Sequence, residues 1–315
     1  KDPSFEEVIS LRSVGNPEIS VDGKTIAFTM RMADWEKNEF DTEIWISKNG
    51  GAAFPATNAP KGSSTSPVFS PDGKWMAFLS DRGAKRQIYV LRLEGGEAFA
   101  ITNEKENISD VGWAPSGRKL FFIKAESEDK QKKEEEKRYG GFAKDDAEFT
   151  LSHLWQVDFF PDMKNPSELP CYQSVDSLKA NSGCIEWSKP ERLTDGKFTV
   201  TSFKVSPDGA KLAFNHQPDP LINSFMKSDI SWIDLNTKKI VPLVTNKSSD
   251  GLADWSPDSK ELLYTSNEDD TTSNFYKNSK LFAISTSDGK TRRLASKLDE
   301  DFGGQFTWRD EGIYV

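Results

Sequence analysis

Phe69-Ser-Pro-Asp-Gly73-Lys-Trp-Met-Ala-Phe-Leu-Ser80 is the stretch that decides the fold. Proline presets φ at the second position of a tight turn, and aspartate suits the third. Glycine then takes the left-handed conformation that closes a hairpin without splaying its strands. Beyond the turn, Met76 and Phe78 point one face of a strand into a core, while Ala77 between them keeps the other face small. A sheet with one bulky and one small face suits packing between two neighbours.

The unit recurs. Ile19-Ser-Val-Asp-Gly23, Trp113-Ala-Pro-Ser-Gly117, Val205-Ser-Pro-Asp-Gly209, Trp255-Ser-Pro-Asp-Ser259 and Trp308-Arg-Asp-Glu-Gly312 align with it. In the first five units, apolar residues follow the turn at the same two offsets: Ile26/Phe28, Met76/Phe78, Leu120/Phe122, Leu212/Phe214 and Leu262/Tyr264. Two more strand-like runs follow each hairpin, as in Gln87-Ile-Tyr-Val-Leu-Arg-Leu93 and, after a Glu94-Gly-Gly96 turn, Glu97-Ala-Phe-Ala-Ile-Thr102. Four antiparallel strands per unit of about 45–50 residues predict an all-β chain, a β-propeller of four-stranded antiparallel blades. The turn residues 23, 73, 117, 209, 259 and 312 are spaced by 50, 44, 92, 50 and 53. Only one set of strands is visible in the long interval, so it reads as one blade with insertions at 126–149 and 161–189. The expected blades are 14–60, 61–105, 108–197, 198–247 and 248–298, with the start of a sixth at 302–315. A blade that stops after its opening hairpin leaves an edge unpaired, so the chain is expected to be a fragment of a longer protein.

Composition excludes other classes. With 36% hydrophobic residues, 9 Trp and 21 Phe, the chain can bury a sizeable core and is not disordered. Fifty acidic against 41 basic residues give a net charge of −9, which argues against nucleic-acid binding. No run approaches the roughly 18 apolar residues of a membrane span. Two histidines, His153 and His216, are too few for most imidazole metal sites, and no cofactor or metal is expected. Gly112-Trp-Ala-Pro-Ser-Gly-Arg-Lys119 lacks the ending of a phosphate loop and falls on a hairpin turn. The Asp-Gly pairs do not have the spacing of a calcium loop. Trp75, Trp113, Trp255 and Trp308 recur with the repeat at what reads as one position, so they are expected in the core between blades rather than as a stacking site for a ligand.

Ser70-Pro-Asp-Gly-Lys-Trp-Met-Ala-Phe-Leu-Ser-Asp-Arg82, Gly95-Gly-Glu97 and Ile101-Thr102 resemble the propeller repeat of the prolyl oligopeptidase family (S9) of serine peptidases. Val14-Gly-Asn-Pro17, His153-Leu-Trp155, Arg192-Leu-Thr-Asp-Gly196 and Asp299-Glu-Asp301 are similar to its dipeptidyl-peptidase and acylaminoacyl-peptidase branch. The resemblance implies an amino-terminal propeller capping an α/β-hydrolase domain of the same polypeptide, and cleavage of short peptides near their amino termini. The propeller of that family admits small or unfolded peptides and excludes folded proteins. Its triad serine sits on a Gly-x-Ser-x-Gly elbow. No two glycines here lie four positions apart, so that elbow is absent and no catalytic residue is assigned. His153 is expected at the start of a third strand and His216 at the end of a hairpin strand. TolB-like periplasmic propellers share the repeat, so a non-enzymatic module binding a protein or peptide is the second expectation.

In the same branch, acidic residues of a propeller insertion pair with the substrate's α-amino group, a strong contact only where the charges are partly desolvated. The segment 126–148 mixes charge signs at helical spacing and suits an exposed helix or a mobile loop. Its plain reading is a solvated excursion. The functional reading places Asp145, Asp146 and Glu148 against the amine of a peptide substrate, although the double-glutamate motif of the dipeptidyl peptidase IV branch is absent. Cys171 and Cys184 fall in one Pro/Ser/Asn-rich stretch and read equally as a disulfide in an oxidising compartment or as two thiols. The cysteine pair and the resemblance to exported peptidases point to the periplasm or secretion, with the cytoplasm as the alternative.

Overall fold

The computed structural model describes residues 2–83, 85–127, 130–140, 149–160, 189–268, 278–302 and 304–315. Among the described residues, apart from two helices and one 3-10 turn, the elements are strands. The first sheet holds β1 (Ser13–Ile19), β2 (Thr25–Asp34), β3 (Glu39–Lys48) and β4 (Phe54–Pro55). The second holds β5 (Ser64–Phe69), β6 (Trp75–Ser80), β7 (Gln87–Arg92) and β8 (Phe99–Ala100). The third holds β9 (Ile108–Trp113), β10 (Lys119–Ala125), β11 (Ser152–Asp158) and β12 (Glu191–Arg192). The fourth holds β13 (Thr199–Val205), β14 (Lys211–Gln217), β15 (Asp229–Asp234) and β16 (Ile240–Val244). The fifth holds β17 (Asp250–Trp255), β18 (Glu261–Ser266), β19 (Lys280–Ser285) and β20 (Thr291–Arg293). A two-stranded hairpin, β21 (Thr307–Arg309) and β22 (Gly312–Tyr314), opens a sixth. Among the described residues, then, the chain is a β-propeller of five four-stranded blades and the start of another. Helices α1 (Phe5–Ile9) and α2 (Lys130–Tyr139) lie outside the sheets, and neither is long and apolar enough to cross a membrane.

The chain divides into two compact units, Lys1–Phe122 with Gln156–Glu191, and Ile123–Trp155 with Arg192–Val315, and the division crosses β10, β11 and β12. In the first unit, Ala27, Ile44 and Ile46 form one buried cluster with Phe69, Met76, Phe78 and Leu91. The small face of one blade thus meets the bulky face of the next. Trp113 donates its indole N–H to the Val68 carbonyl at 3.1 Å. In the second unit, Ala213, Ile230 and Val244 meet Trp255, Leu262, Tyr264 and Ile284 in the same way. Trp255 repeats the indole bond, to the Lys204 carbonyl at 2.9 Å. Trp113 and Trp255 close first strands and Trp308 lies within one, but Trp75 opens β6, a second strand. The four are therefore not one repeat position. Trp75 is still core, with edge-on contacts to Phe99 at 6.2 Å and Phe159 at 5.2 Å between ring centroids.

The Pro-Asp-Gly corners are hairpin turns of one design. The glycine N–H donates to the residue three before it, as in Gly73 to Ser70 at 2.9 Å and Gly209 to Ser206 at 2.8 Å. The serine hydroxyl donates to the aspartate and accepts the amide that starts the next strand: Ser70 bonds Asp72 at 2.5 Å and accepts from Trp75 N at 2.9 Å. The Ser20 hydroxyl and the Lys24 amide hold the Asp22 carboxyl below its ordinary range. In the fifth blade Ser259 stands where the others have glycine, with φ 61°, and its hydroxyl accepts the Asp208 N–H at 3.0 Å. Ser70 is buried, so Ser70→Ala strands the Trp75 amide. A loss of about 1–2 kcal/mol in unfolding free energy is expected by urea titration. An unchanged midpoint would show that the backbone holds this corner unaided.

The fourth strands are shorter than the apolar runs around them. In the first blade the β3 amide of Ile44 donates to the Thr57 hydroxyl at 2.8 Å, and in the second the β7 amide of Ile88 donates to Thr102 at 2.9 Å. A side-chain oxygen has replaced the carbonyl that a longer outer strand would supply, so the ladder stops there.

Candidate functional site

In the first three blades a threonine two residues past the outer strand bonds the third strand, beside a polar residue of that strand. Thr57 donates to the buried Glu43 carboxylate, which also accepts the Ala59 N–H at 2.5 Å. In the second blade, Gln87 accepts from the Glu104 amide at 2.8 Å and donates to its carbonyl at 3.0 Å. Each pair pins the linker leaving its blade. In the third blade the same two positions are Thr194 and His153. Thr194 accepts the Leu154 N–H at 3.0 Å, and its hydroxyl lies 3.2 Å from His153 Nδ1.

His153 has no solvent exposure. Its Nε2 makes no hydrogen bond and sits 3.4 Å from the Glu126 carboxylate. A lone pair facing a carboxylate would be repelled, so the proton belongs on Nε2 and the Thr194 hydroxyl donates to Nδ1. Arg192 gathers the surrounding charge. Its Nη2 lies 2.7 Å from Glu126 and 3.3 Å from Asp195, and its Nε donates to the Thr194 carbonyl at 2.7 Å. Glu126 also closes the stem of the insertion, its N–H donating to the Leu151 carbonyl at 2.8 Å. Burial and the Arg192 cation hold the His153 pKa below its ordinary value, against the pull of Glu126 and Asp195.

Below this group the chain turns at Gly196, whose φ of +141° excludes most side chains, and a Cβ there would stand 2.8 Å from the Phe198 ring. Phe198 lies between the two imidazoles, 5.6 Å from His153 and 5.0 Å from His216 between ring centroids, and stacks on Phe214. His216 Nε2 is 2.9 Å from the Ser231 hydroxyl, and burial lowers its pKa as well.

A serine bonded to a histidine invites comparison with acyl-transfer catalysis. Ser231 is buried within β15 and not on a strained elbow, and among the described residues no carboxylate pairs with His216. The pair is structural. Among the described residues no group of three or more histidine, cysteine, aspartate or glutamate side chains could hold a metal. The charged part, Glu126 with Arg192 and the exposed Asp195, is the half of the group that a ligand can reach.

Of the residues singled out from sequence, Asp145, Asp146, Glu148, Cys171 and Cys184 lie outside the described residues. The charged first half of the 126–149 insertion does carry a helix, α2. The Glu126–Arg192–His153 group went unread, because its members are separated by an insertion. Its one sequence signal was the pair of motifs His153-Leu-Trp155 and Arg192-Leu-Thr-Asp-Gly196, quoted above as points of resemblance.

The PD40 family, described as the TolB beta propeller domain, matches residues 6–141. The chain is 34% identical over 141 residues to the uncharacterized peptidase YuxL of Bacillus subtilis, covering 42% of this chain and 21% of that protein. It is 20% identical over 273 residues to dipeptidyl-peptidase 5 of Porphyromonas endodontalis, covering 84% of this chain and 38% of that protein. The chain therefore spans well under half the length of either curated relative. Among solved structures, an acylaminoacyl peptidase from Pyrococcus horikoshii superposes with a TM-score of 0.64 at 17% identity, over 98% of this chain and 42% of that one, a likeness of fold. The chain is thus a β-propeller that matches the PD40 family over residues 6–141, and its relatives include proteins named as peptidases.

Proposed function

We propose that this chain is the substrate-gating propeller of a serine peptidase that cleaves short peptides near their amino termini. The observation that carries this reading is the alignment with dipeptidyl-peptidase 5, which takes in 84% of this chain but only 38% of that protein. The remainder of such a protein has room for an α/β-hydrolase domain in the same polypeptide, where the nucleophile would reside. In this reading the propeller contributes selection by size, and Asp145, Asp146 and Glu148 receive the substrate's amine. Export to the periplasm or beyond is part of the same proposal, supported by the cysteine pair and the resemblance to exported peptidases.

The test is peptidase activity with dipeptidyl and acylaminoacyl chromogenic substrates. The 315-residue chain alone is expected to give no turnover. The polypeptide extended by the coding sequence beyond Val315 is expected to cleave, and to lose activity when the serine of its Gly-x-Ser-x-Gly elbow is replaced. Turnover by the 315 residues alone would overturn the division of labour. The TolB description of the matched family favours a second reading, a non-enzymatic module that binds a protein or peptide. A stop codon within one or two further blades would favour it over the first.

A further inference from the structure

We propose that the strap of residues 192–198, which leads from β12 into β13, is an acid-sensitive clasp that neutral His153 and His216 hold shut on Phe198. The two histidines of the sequence both contact this one ring. Neither is placed for catalysis; His153 is fully buried and His216 half-buried.

The charges around the clasp define two arrangements. In the neutral one Arg192 holds Glu126 at 2.7 Å, and the Thr194 hydroxyl donates to His153 Nδ1. A proton arriving at His153 must bind Nδ1. The Thr194 hydroxyl then has to accept from that nitrogen as well as from Leu154 N, and its own hydrogen loses its buried acceptor. The new cation draws Glu126 from 3.4 Å toward Nε2 and repels Arg192, for which Asp195 already waits at 3.3 Å. Arg192 exchanges Glu126 for Asp195, and the strap shifts with it. On the neighbouring strand the Lys124 ammonium lies 3.6 Å over the Trp155 ring.

His216 is half-buried. Phe198 and Phe214 cover its ring, Ser231 takes Nε2, and Asp229 is its register partner on β15. Burial raises the pKa of the Asp229 carboxyl. Both histidines have lowered folded pKa values, whereas in the unfolded chain they titrate near 6.5. The unfolded or opened strap therefore takes up protons first. The stabilisation is complete above about pH 6.5 and is lost as pH falls through that value toward the folded pKa.

The test uses the 315-residue chain. Its two imidazole Cε1–H resonances, followed by NMR from pH 8 to 4.5, are expected to titrate below 6.5. Amide exchange at residues 193–200, corrected for its intrinsic pH dependence, is expected to lose protection in the same window. The loss should be roughly tenfold for each unit of depression, up to the unfolded value. His153→Gln combined with His216→Gln should keep the protection at pH 5, and Glu126→Gln should lower the His153 titration further. Titration of both imidazoles at the ordinary value in the wild-type chain overturns the clasp without recourse to any variant. So does acid loss of protection that survives in the double variant.

Discussion

Trp255→Ala is expected to cost about 3–5 kcal/mol, the range for emptying a buried aromatic site. Trp255 is 2% exposed and sits at the centre of the cluster joining Ala213 and Ile230 to Leu262, Tyr264 and Ile284. Truncation removes the ring contacts from both sheets at once, and it also takes away the indole donor to the Lys204 carbonyl. Trp255→Phe separates the two contributions, because it keeps most of the apolar volume and deletes the N–H. It should cost about 1–2 kcal/mol. Trp35→Ala is the control, since Trp35 is 54% exposed, and its effect should stay within about 1 kcal/mol. Guanidinium unfolding followed by circular dichroism reads all three. A Trp255→Ala midpoint close to that of Trp35→Ala would mean that the blades do not depend on this contact.

Gly62→Ala is expected to have the second largest effect, about 2–4 kcal/mol. Gly62 lies in the linker between β4 and β5 with φ +76°, a left-handed conformation that itself penalises alanine. A Cβ would stand 2.8 Å from the backbone carbon and oxygen of Asp81, and these atoms cannot swing away as a side chain would. Asp81 in turn accepts the Ser63 N–H at 2.6 Å, so relief of the clash breaks the contact that seats the linker. Gly73→Ala isolates the dihedral part: its φ is +66° and no atom lies within 4 Å of the added carbon. That variant should cost about 1–2 kcal/mol. Equal losses at the two sites would show that the linker gives way freely around Asp81.

The sheets were legible in the sequence because their determinants are local. The Ser-Pro-Asp-Gly turn acts over six residues, and Met76 and Phe78 alternate within one strand, so spacing alone exposes both. What joins one element to the next was not legible. Thr57 reaches Ile44 across 13 residues, and Thr194 reaches Leu154 across 40, with an insertion between. Arg192 and Glu126 are 66 apart. No periodicity survives such intervals, and the third-strand residue beside that threonine changes chemistry from Glu43 to Gln87 to His153. Trp75 misled for the opposite reason. It lies close enough to a turn to be counted with Trp113 and Trp255, yet it belongs to the other strand of the hairpin.

The hydrogen bond between the Glu126 amide and the Leu151 carbonyl has a use in protein engineering. It fixes the two ends of a 24-residue excursion, leaving β10 and β11 to pair independently of what lies between. Closing a longer segment costs only about 0.6 kcal/mol for each doubling of its length. The two posts therefore form a ready graft port: a foreign epitope or a whole small domain can be spliced between them while the host sheet keeps its register.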